Sequence, residues 1–244
     1  IAGLIMGSAG LAPCFFINAV SFIAVVIALL KMRFKPEESK TTSKTGMTKS
    51  FKEGIKYIFH HPDISALLIA AGIVSFFGFP YISFLPVYAR DILKTGATGL
   101  GILMGCAGAG AFTGAVALAI KGDTARKGVV MAVAGTIFST ALLVFSFSTT
   151  VWLSYAMLFL IGFGAINQIA TANSLLQLNV PNELRGRVMS SFTTMFLGMT
   201  PLGNFAVGSL AHYVGTQNAL MTSAGCCLAG TVIVLWKKPE ILKM

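Results

Sequence analysis

Charge is what this sequence has least of, and the shortage fixes its solvent. Only 11% of its 244 residues are Asp, Glu, Lys or Arg, against about 25% in an ordinary soluble domain. So few charges cannot cover a water-facing surface, which excludes a soluble globular protein. Acidic groups are scarcer still, 8 against 18 basic residues. No paired carboxylates are placed for acid–base chemistry, and no His/Cys/Asp/Glu cluster has metal-ligand spacing. The four cysteines, Cys14, Cys106, Cys226 and Cys227, lie inside apolar segments and fit neither a zinc site nor a secreted disulfide framework. They read as small packing residues. A phosphate-binding Walker loop is missing, and GFGAIN (Gly162 to Asn167) sits in an apolar run without the strand and turn a nucleotide fold needs. The expectation is no enzyme, no cofactor and no metal.

What is present is apolar length. Hydrophobic residues make up 55% of the chain, and mean hydropathy is +0.81. Residues 64–89, 128–182 and 188–236 carry no charge, and 92–120 carries only Lys94. A helix crossing the bilayer core needs about 20 apolar residues. The runs predict an all-α polytopic transmembrane helical bundle with about seven complete spans, near 14–30, 64–89, 97–120, 129–147, 151–178, 188–211 and 217–236. Residues 1–8 read as the tail of an earlier span, and Gly10 to Pro13 as a tight connection. The chain begins with Ile inside an apolar stretch, so further chain is expected before it.

A net charge of +10 invites a nucleic-acid reading, but the basic residues sit between spans. Segments 31–56, 121–127, 185–187 and 237–243 hold 16 of the 18 Lys and Arg. They alternate with uncharged connections near 10, 148 and 214. That is a topology signal, and it places the basic side and the C-terminus in the cytoplasm. Nucleic acid is not an expected partner; membrane lipid is.

Residues 34–50 are polar and read as a linker. Residues 48–61 follow as a basic amphipathic helix, with Phe51, Ile55, Ile58 and Phe59 on one face and Lys49, Lys52 and Lys56 elsewhere. Such a helix lies at lipid headgroups, either to dock a partner or merely to end the linker. His60 and His61 read as interfacial residues.

Uncharged polar residues carry the functional signal. Asn167, Thr171 and Ser174 fall at i, i+4 and i+7 of the span 151–178. Gln168 adjoins them, and Asn173 with Gln177 forms a neighbouring i, i+4 pair. Amides facing lipid would be left unpaired, so this stripe faces either a substrate cavity or another helix. Tyr81 and Asn204 are further cavity candidates. Gly101/Gly105 and Gly110/Gly114 are small-xxx-small pairs that let helices approach. Gly78-Phe79-Pro80 and Pro86 predict kinks in the span 64–89.

Three local runs add a resemblance. CFFINAVSFIAVVIALLKMR (Cys14 to Arg33) is similar to the sixth helix of the bacterial exporter branch of the major facilitator superfamily. SFKEGIKYIFHHPDISALL (Ser50 to Leu68) resembles that branch's linker helix entering helix seven. VPNELRGRVMSS (Val180 to Ser191) resembles its loop between helices ten and eleven. The branch includes enterobactin exporters and macrolide-efflux proteins. The resemblance implies three parts: 1–33 as the end of a first bundle, 34–61 as a cytoplasmic linker, and 62–244 as a second six-helix bundle. It also implies proton-coupled efflux of a small amphipathic organic compound, a drug or siderophore, by alternating access. The rivals are an uptake permease and a membrane-embedded assembly protein. The implied partners are the small-molecule substrate and a first bundle outside this chain, in a protein that is monomeric at full length. The tenth helix of the family lines the cavity, which puts a cavity role for the 167–174 stripe level with helix packing. KGDTARKG (Lys121 to Gly128) resembles a degenerate copy of the superfamily's Gly-Asp-Arg loop. Asp123 and Arg126 from that loop, with Glu183, Arg185 and Arg187 from NELRGR, are the candidate cytoplasmic gate.

Overall fold

A computed structural model describes the backbone of residues 11–31, 56–122 and 126–243. Every regular element among them is helical. The helices are α1 (Leu11–Lys31), α2 (Pro62–Ile73), α3 (Tyr81–Val87), α4 (Gly96–Lys121), α5 (Lys127–Phe147), α6 (Val151–Asn179), α7 (Asn182–Val214) and α8 (Thr216–Lys237). Two π-turns, Val74–Gly78 and Tyr88–Ile92, interrupt and extend the α2–α3 rod. Helix is the expected answer in lipid, because a spanning segment must satisfy its own backbone.

Among the described residues, five rods are long and apolar enough to cross a membrane: Pro62–Ile92, Gly96–Ile120, Lys127–Phe147, Val151–Asn179 and Thr216–Lys237. The sequence reading expected seven. Of the other two, α1 is an apolar helix of 21 residues as described, Leu11–Lys31. Helix α7 has length to spare at 33 residues but is diluted by Asn182, Glu183, Arg185, Arg187, Pro201 and Asn204. It also starts six residues before the predicted span. Pro181 caps it and accepts from the N–H groups of Leu184 and Arg185 at 3.0 and 2.9 Å. Arg185 and Arg187 therefore stand in the first turns of a helix, not in a loop. Leu11 to Pro13, expected in a connection, are helical in α1.

Helix α6 is the centre of packing, with α4 and α5 against it; α8 packs on α5 and α7. Glycine sets the α4–α6 spacing. A Cβ on Gly110 would lie 1.9 Å from the Phe159 carbonyl oxygen, and one on Gly162 1.9 Å from that of Ala107. The two backbones thus touch directly. The predicted Gly110/Gly114 pair is used here, Gly114 lying under the Asn167 amide. Gly105 faces open space.

The predicted kink is present, as a π-turn just ahead of Pro80. The Phe79 N–H donates to the Val74 carbonyl at 3.0 Å, five residues back. Proline has no N–H to donate, so carbonyls in this turn need other partners. Ser223 of α8 donates to the Phe77 carbonyl at 2.7 Å. Gly203 of α7 lies against the Phe76 carbonyl, where any Cβ would meet that oxygen at 2.1 Å. Ser75 binds the Phe196 carbonyl and lies 2.8 Å from the Thr200 hydroxyl.

Two buried clusters stack along the bundle. At the basic end lie Ile58, Ile64, Leu175, Leu176, Val188 and Ile241. At the other end lie Leu85, Tyr88, Phe145, Leu158 and Leu220. Of the predicted amphipathic helix, residues 56–60 are helical, and Phe51, Ile55, Lys49 and Lys52 lie outside the described residues. Its apolar face divides: Ile58 is buried in the core, whereas Phe59 is 78% exposed. Every side chain from Phe15 to Lys31 is exposed. An all-round apolar helix needs lipid or another bundle about it.

Candidate functional site: a crevice between α4, α5 and α6

The polar stripe on α6 is buried against protein. Asn167, Gln168 and Thr171 are each exposed by 5% or less. Their surroundings differ, because successive positions on a helix point about 100° apart. Asn167 turns toward α4. Its amide donates to the Phe163 carbonyl at 2.8 Å and forms one wall of a cavity of about 260 Å³. The other walls are apolar, chiefly Leu118 from α4, Val130, Val133 and Ile137 from α5, and Phe163.

One turn along, Thr171 and Ser174 line a smaller cavity of about 90 Å³ with Gly122 and Lys127. Leu118 and Val130 wall both cavities, so the two are adjacent parts of one crevice. The Lys127 ammonium donates to the Ser174 hydroxyl at 3.1 Å. The Thr171 hydroxyl is buried without a hydrogen-bond partner. A long apolar chamber with a few convergent polar groups at one end is the usual make-up of a small-molecule site.

The other candidates are placed elsewhere. Gln168 lies over Gly135 of α5, with its carbonyl oxygen buried and unpartnered. Asn173 accepts from Gln177 on the same helix, and neither lines the crevice. Tyr81 is 6% exposed and belongs to the apolar core. Asn204 accepts from Ser83 at 3.2 Å, tying α7 to α3. Tyr81 and Asn204 are therefore not brought to Asn167. Of the gate residues, Asp123 lies outside the described residues. Arg126 is exposed at the N-terminus of α5, and Glu183 is exposed on α7. Arg185 is half-buried, its Nε buried without a partner. Arg187 is half-buried too, and its carbonyl takes the hydroxyls of Ser190 and Ser191 at 2.8 and 3.0 Å. Ring nitrogens of His60 and His61 bond the carbonyls of Lys56 and Tyr57, each at 2.8 Å.

Lys127 is the residue the sequence reading passed over. It counted only as topological charge, and nothing local links it to Ser174, 47 positions away. Ser139, which joins two helices, was missed for the same reason: it lies 3.3 Å from the Thr231 hydroxyl of α8.

At the far end, Arg90 and Asp91 form a two-pronged pair at 2.7 and 2.9 Å with both side chains exposed. A neighbouring surface pair of this kind contributes little.

The sequence matches known proteins along nearly its whole length. The family described as transmembrane secretion effector matches residues 1–242. A Bacillus subtilis protein named "Putative bacilysin exporter BacE" is 30% identical over 190 residues, 77% of this chain and 46% of that protein. The multidrug efflux pump Tap of Mycolicibacterium fortuitum is 25% identical over 242 residues, 96% of this chain and 58% of the pump. The chain thus spans about half the length of the curated relatives it matches.

Proposed function

The chain belongs to the transmembrane secretion effector family of major facilitator transporters, and from that premise we propose that it serves secondary active efflux of a small amphipathic organic compound. The single observation that carries the reading is the α6 stripe. Asn167, Thr171 and Ser174 line a crevice within a bundle of membrane-spanning helices. Relatives named as exporters of an antibiotic and of multiple drugs support the class of cargo.

In this reading the substrate path runs between this bundle and a first bundle, and one bundle rocks against the other. Helix α1, exposed along its described length, belongs to that first bundle. The π-turn of the α2–α3 rod and the helix-interior Pro86 are places where a packed rod can bend. Proton coupling requires a titrating group within the membrane. Asp63 and Asp91 stand at rod ends, so the coupling carboxylate is assigned to the first bundle. The basic end is cytoplasmic by the Lys/Arg rule. There Arg185 and Arg187 act at the gate with Glu183, Asp123 and Arg126. The full-length protein works as a monomer, with lipid and cargo as its partners.

The test uses the full-length protein in proteoliposomes with an imposed pH gradient and a lipophilic dye such as ethidium. Gradient-dependent dye movement, reduced several-fold by Asn167→Ala at unchanged protein level, is the expected result. Dye flux that ignores the gradient overturns active efflux. Dye driven in the opposite sense favours an uptake permease, and no flux with any lipophilic probe favours an assembly protein.

A further inference from the structure

Among the described residues that line the larger chamber of the crevice, Asn167 is the one amide, and its two ends are held differently. The nitrogen end is engaged. It donates to the Phe163 carbonyl at 2.8 Å, one turn back on α6. Helix α4 closes over the same end, since a Cβ on Gly114 would lie 2.6 Å from that nitrogen. These two contacts fix which way the amide points. The oxygen end accepts no hydrogen bond. Unlike the Thr171 hydroxyl and the Gln168 carbonyl, it is not sealed inside the protein. It therefore faces the chamber that Asn167 lines.

Depth makes that free oxygen costly. Asn167 stands near the middle of α6 (Val151–Asn179), a rod long and apolar enough to span the membrane. An amide oxygen has two lone pairs to satisfy, and the bilayer core supplies no donor for them. The walls around it are hydrocarbon, chiefly Val133, Ile137 and Phe163, and supply none either. The chamber measures about 260 Å³, near the ~300 Å³ at the small end of ordinary ligand sites and far above the ~10–15 Å³ that one water needs. Ala117 of α4 and Val129 and Val133 of α5 are exposed, so the chamber has a mouth between those two rods.

We infer that this chamber binds a lipophilic hydrogen-bond donor, an apolar molecule carrying an alcohol, phenol or amide N–H group. Its proton goes to the Asn167 oxygen, and its body lies against Val133, Ile137 and Phe163. An ether of the same shape has no proton to give and binds less well. As a statement about cargo, this narrows the amphipathic class and rests on the efflux reading; as a binding site it stands by itself.

Binding is tested without transport, so the two readings fail separately. The full-length protein in phosphatidylcholine nanodiscs is photolabelled with azioctanol, an alcohol carrying a diazirine, and mass spectrometry locates the adducts. They are expected on the chamber wall, at Val133, Ile137 or Phe163. Octanol should displace the label at about fivefold lower content in the disc than heptyl methyl ether, which matches its length without a proton to give. Fivefold is equivalent to about 1 kcal/mol. Asn167→Leu, of similar volume, should erase that preference while the wall is still labelled, which guards against a folding defect. Gly114→Ala, which pushes on the amide nitrogen, should weaken the preference with Asn167 still present. Equal competition by alcohol and ether in the wild-type protein would leave an apolar chamber with no donor seat. A wall without adducts would leave it closed or filled with water, and a preference that survives Asn167→Leu would place the acceptor elsewhere. Any of these three results overturns the inference. An alcohol preference in a protein without gradient-driven dye flux would support the site and remove only the efflux reading.

Discussion

Ser223 of α8 donates its hydroxyl to the Phe77 carbonyl, 2.7 Å away and 146 residues earlier in the chain. The bond lands on the π-turn where the α2–α3 rod is broken. A carbonyl freed at a break inside lipid has no water to turn to, so a neighbouring helix supplies the donor. Ser223→Ala should cost about 0.6 kcal/mol and no more than about 1.7, the range of such bonds inside membranes. Unfolding of the full-length protein in mixed micelles, titrated with a denaturing detergent, reads this directly. A cost well above that range would mean the hydroxyl does more than satisfy one carbonyl.

Gly162 and Gly105 should respond oppositely to enlargement. A Cβ on Gly162 meets the Ala107 carbonyl oxygen at 1.9 Å, and one on Gly105 meets nothing within 4 Å. Gly162→Val forces two backbones apart and should cost several-fold in folded, monodisperse protein, since overpacking costs about 1–3 kcal/mol or more. Gly105→Ala should leave it unchanged. Size-exclusion profiles of fluorescently tagged variants measure both, and equal profiles would refute the backbone contact.

The orientation follows from charge alone and can be checked with described, exposed positions. Cysteines at Glu240 and Thr149, both exposed, should react with an impermeant maleimide from opposite sides of the membrane, Glu240 from the cytoplasm. Labelling from one side would dismiss the positive-inside assignment.

Arg185 and Arg187 should not tolerate lysine if they gate. Lysine keeps the charge but loses the planar five-donor fork. The Nε of Arg185 is already buried without a partner, so in this conformation its fork is only partly used. The double Lys variant is expected to transport several-fold more slowly at wild-type expression. Wild-type dye flux from that variant would reduce both residues to topological charge.

Thr171→Val and Thr171→Ser should separate packing from hydrogen bonding in the full-length protein. The hydroxyl is buried and unpaired, so Val should be neutral or slightly stabilising in detergent unfolding. Any loss of transport by Val that Ser restores would then come from the cargo and not from the fold.

Element by element, the sequence was most legible where periodicity and length alone decide. Helices α4, α5, α6 and α8 run within a few residues of the predicted spans, because about 20 uncharged residues admit little else in lipid. The Pro80 kink was legible for a local reason as well. Boundaries failed where a helix runs on into water. Asn182 to Arg187 look like a loop by composition, yet they continue α7 because Pro181 starts a helix and only Gly186 speaks against it. The stripe on α6 was legible as a face, but not as two different environments. Asn167 and Gln168 are neighbours in sequence; one meets α4 and the other meets α5.

The sequence by itself determined the solvent, the helical class and the placing of charge at the rod ends, since each depends on local composition and on the bilayer's thickness. Only the tertiary structure decided which polar groups meet. Lys127 beside Ser174, Ser223 at Phe77 and Gly162 on Ala107 are pairings between residues 47, 146 and 55 positions apart. Helix periodicity sets which face a residue occupies, and it carries no information about which helix packs against that face.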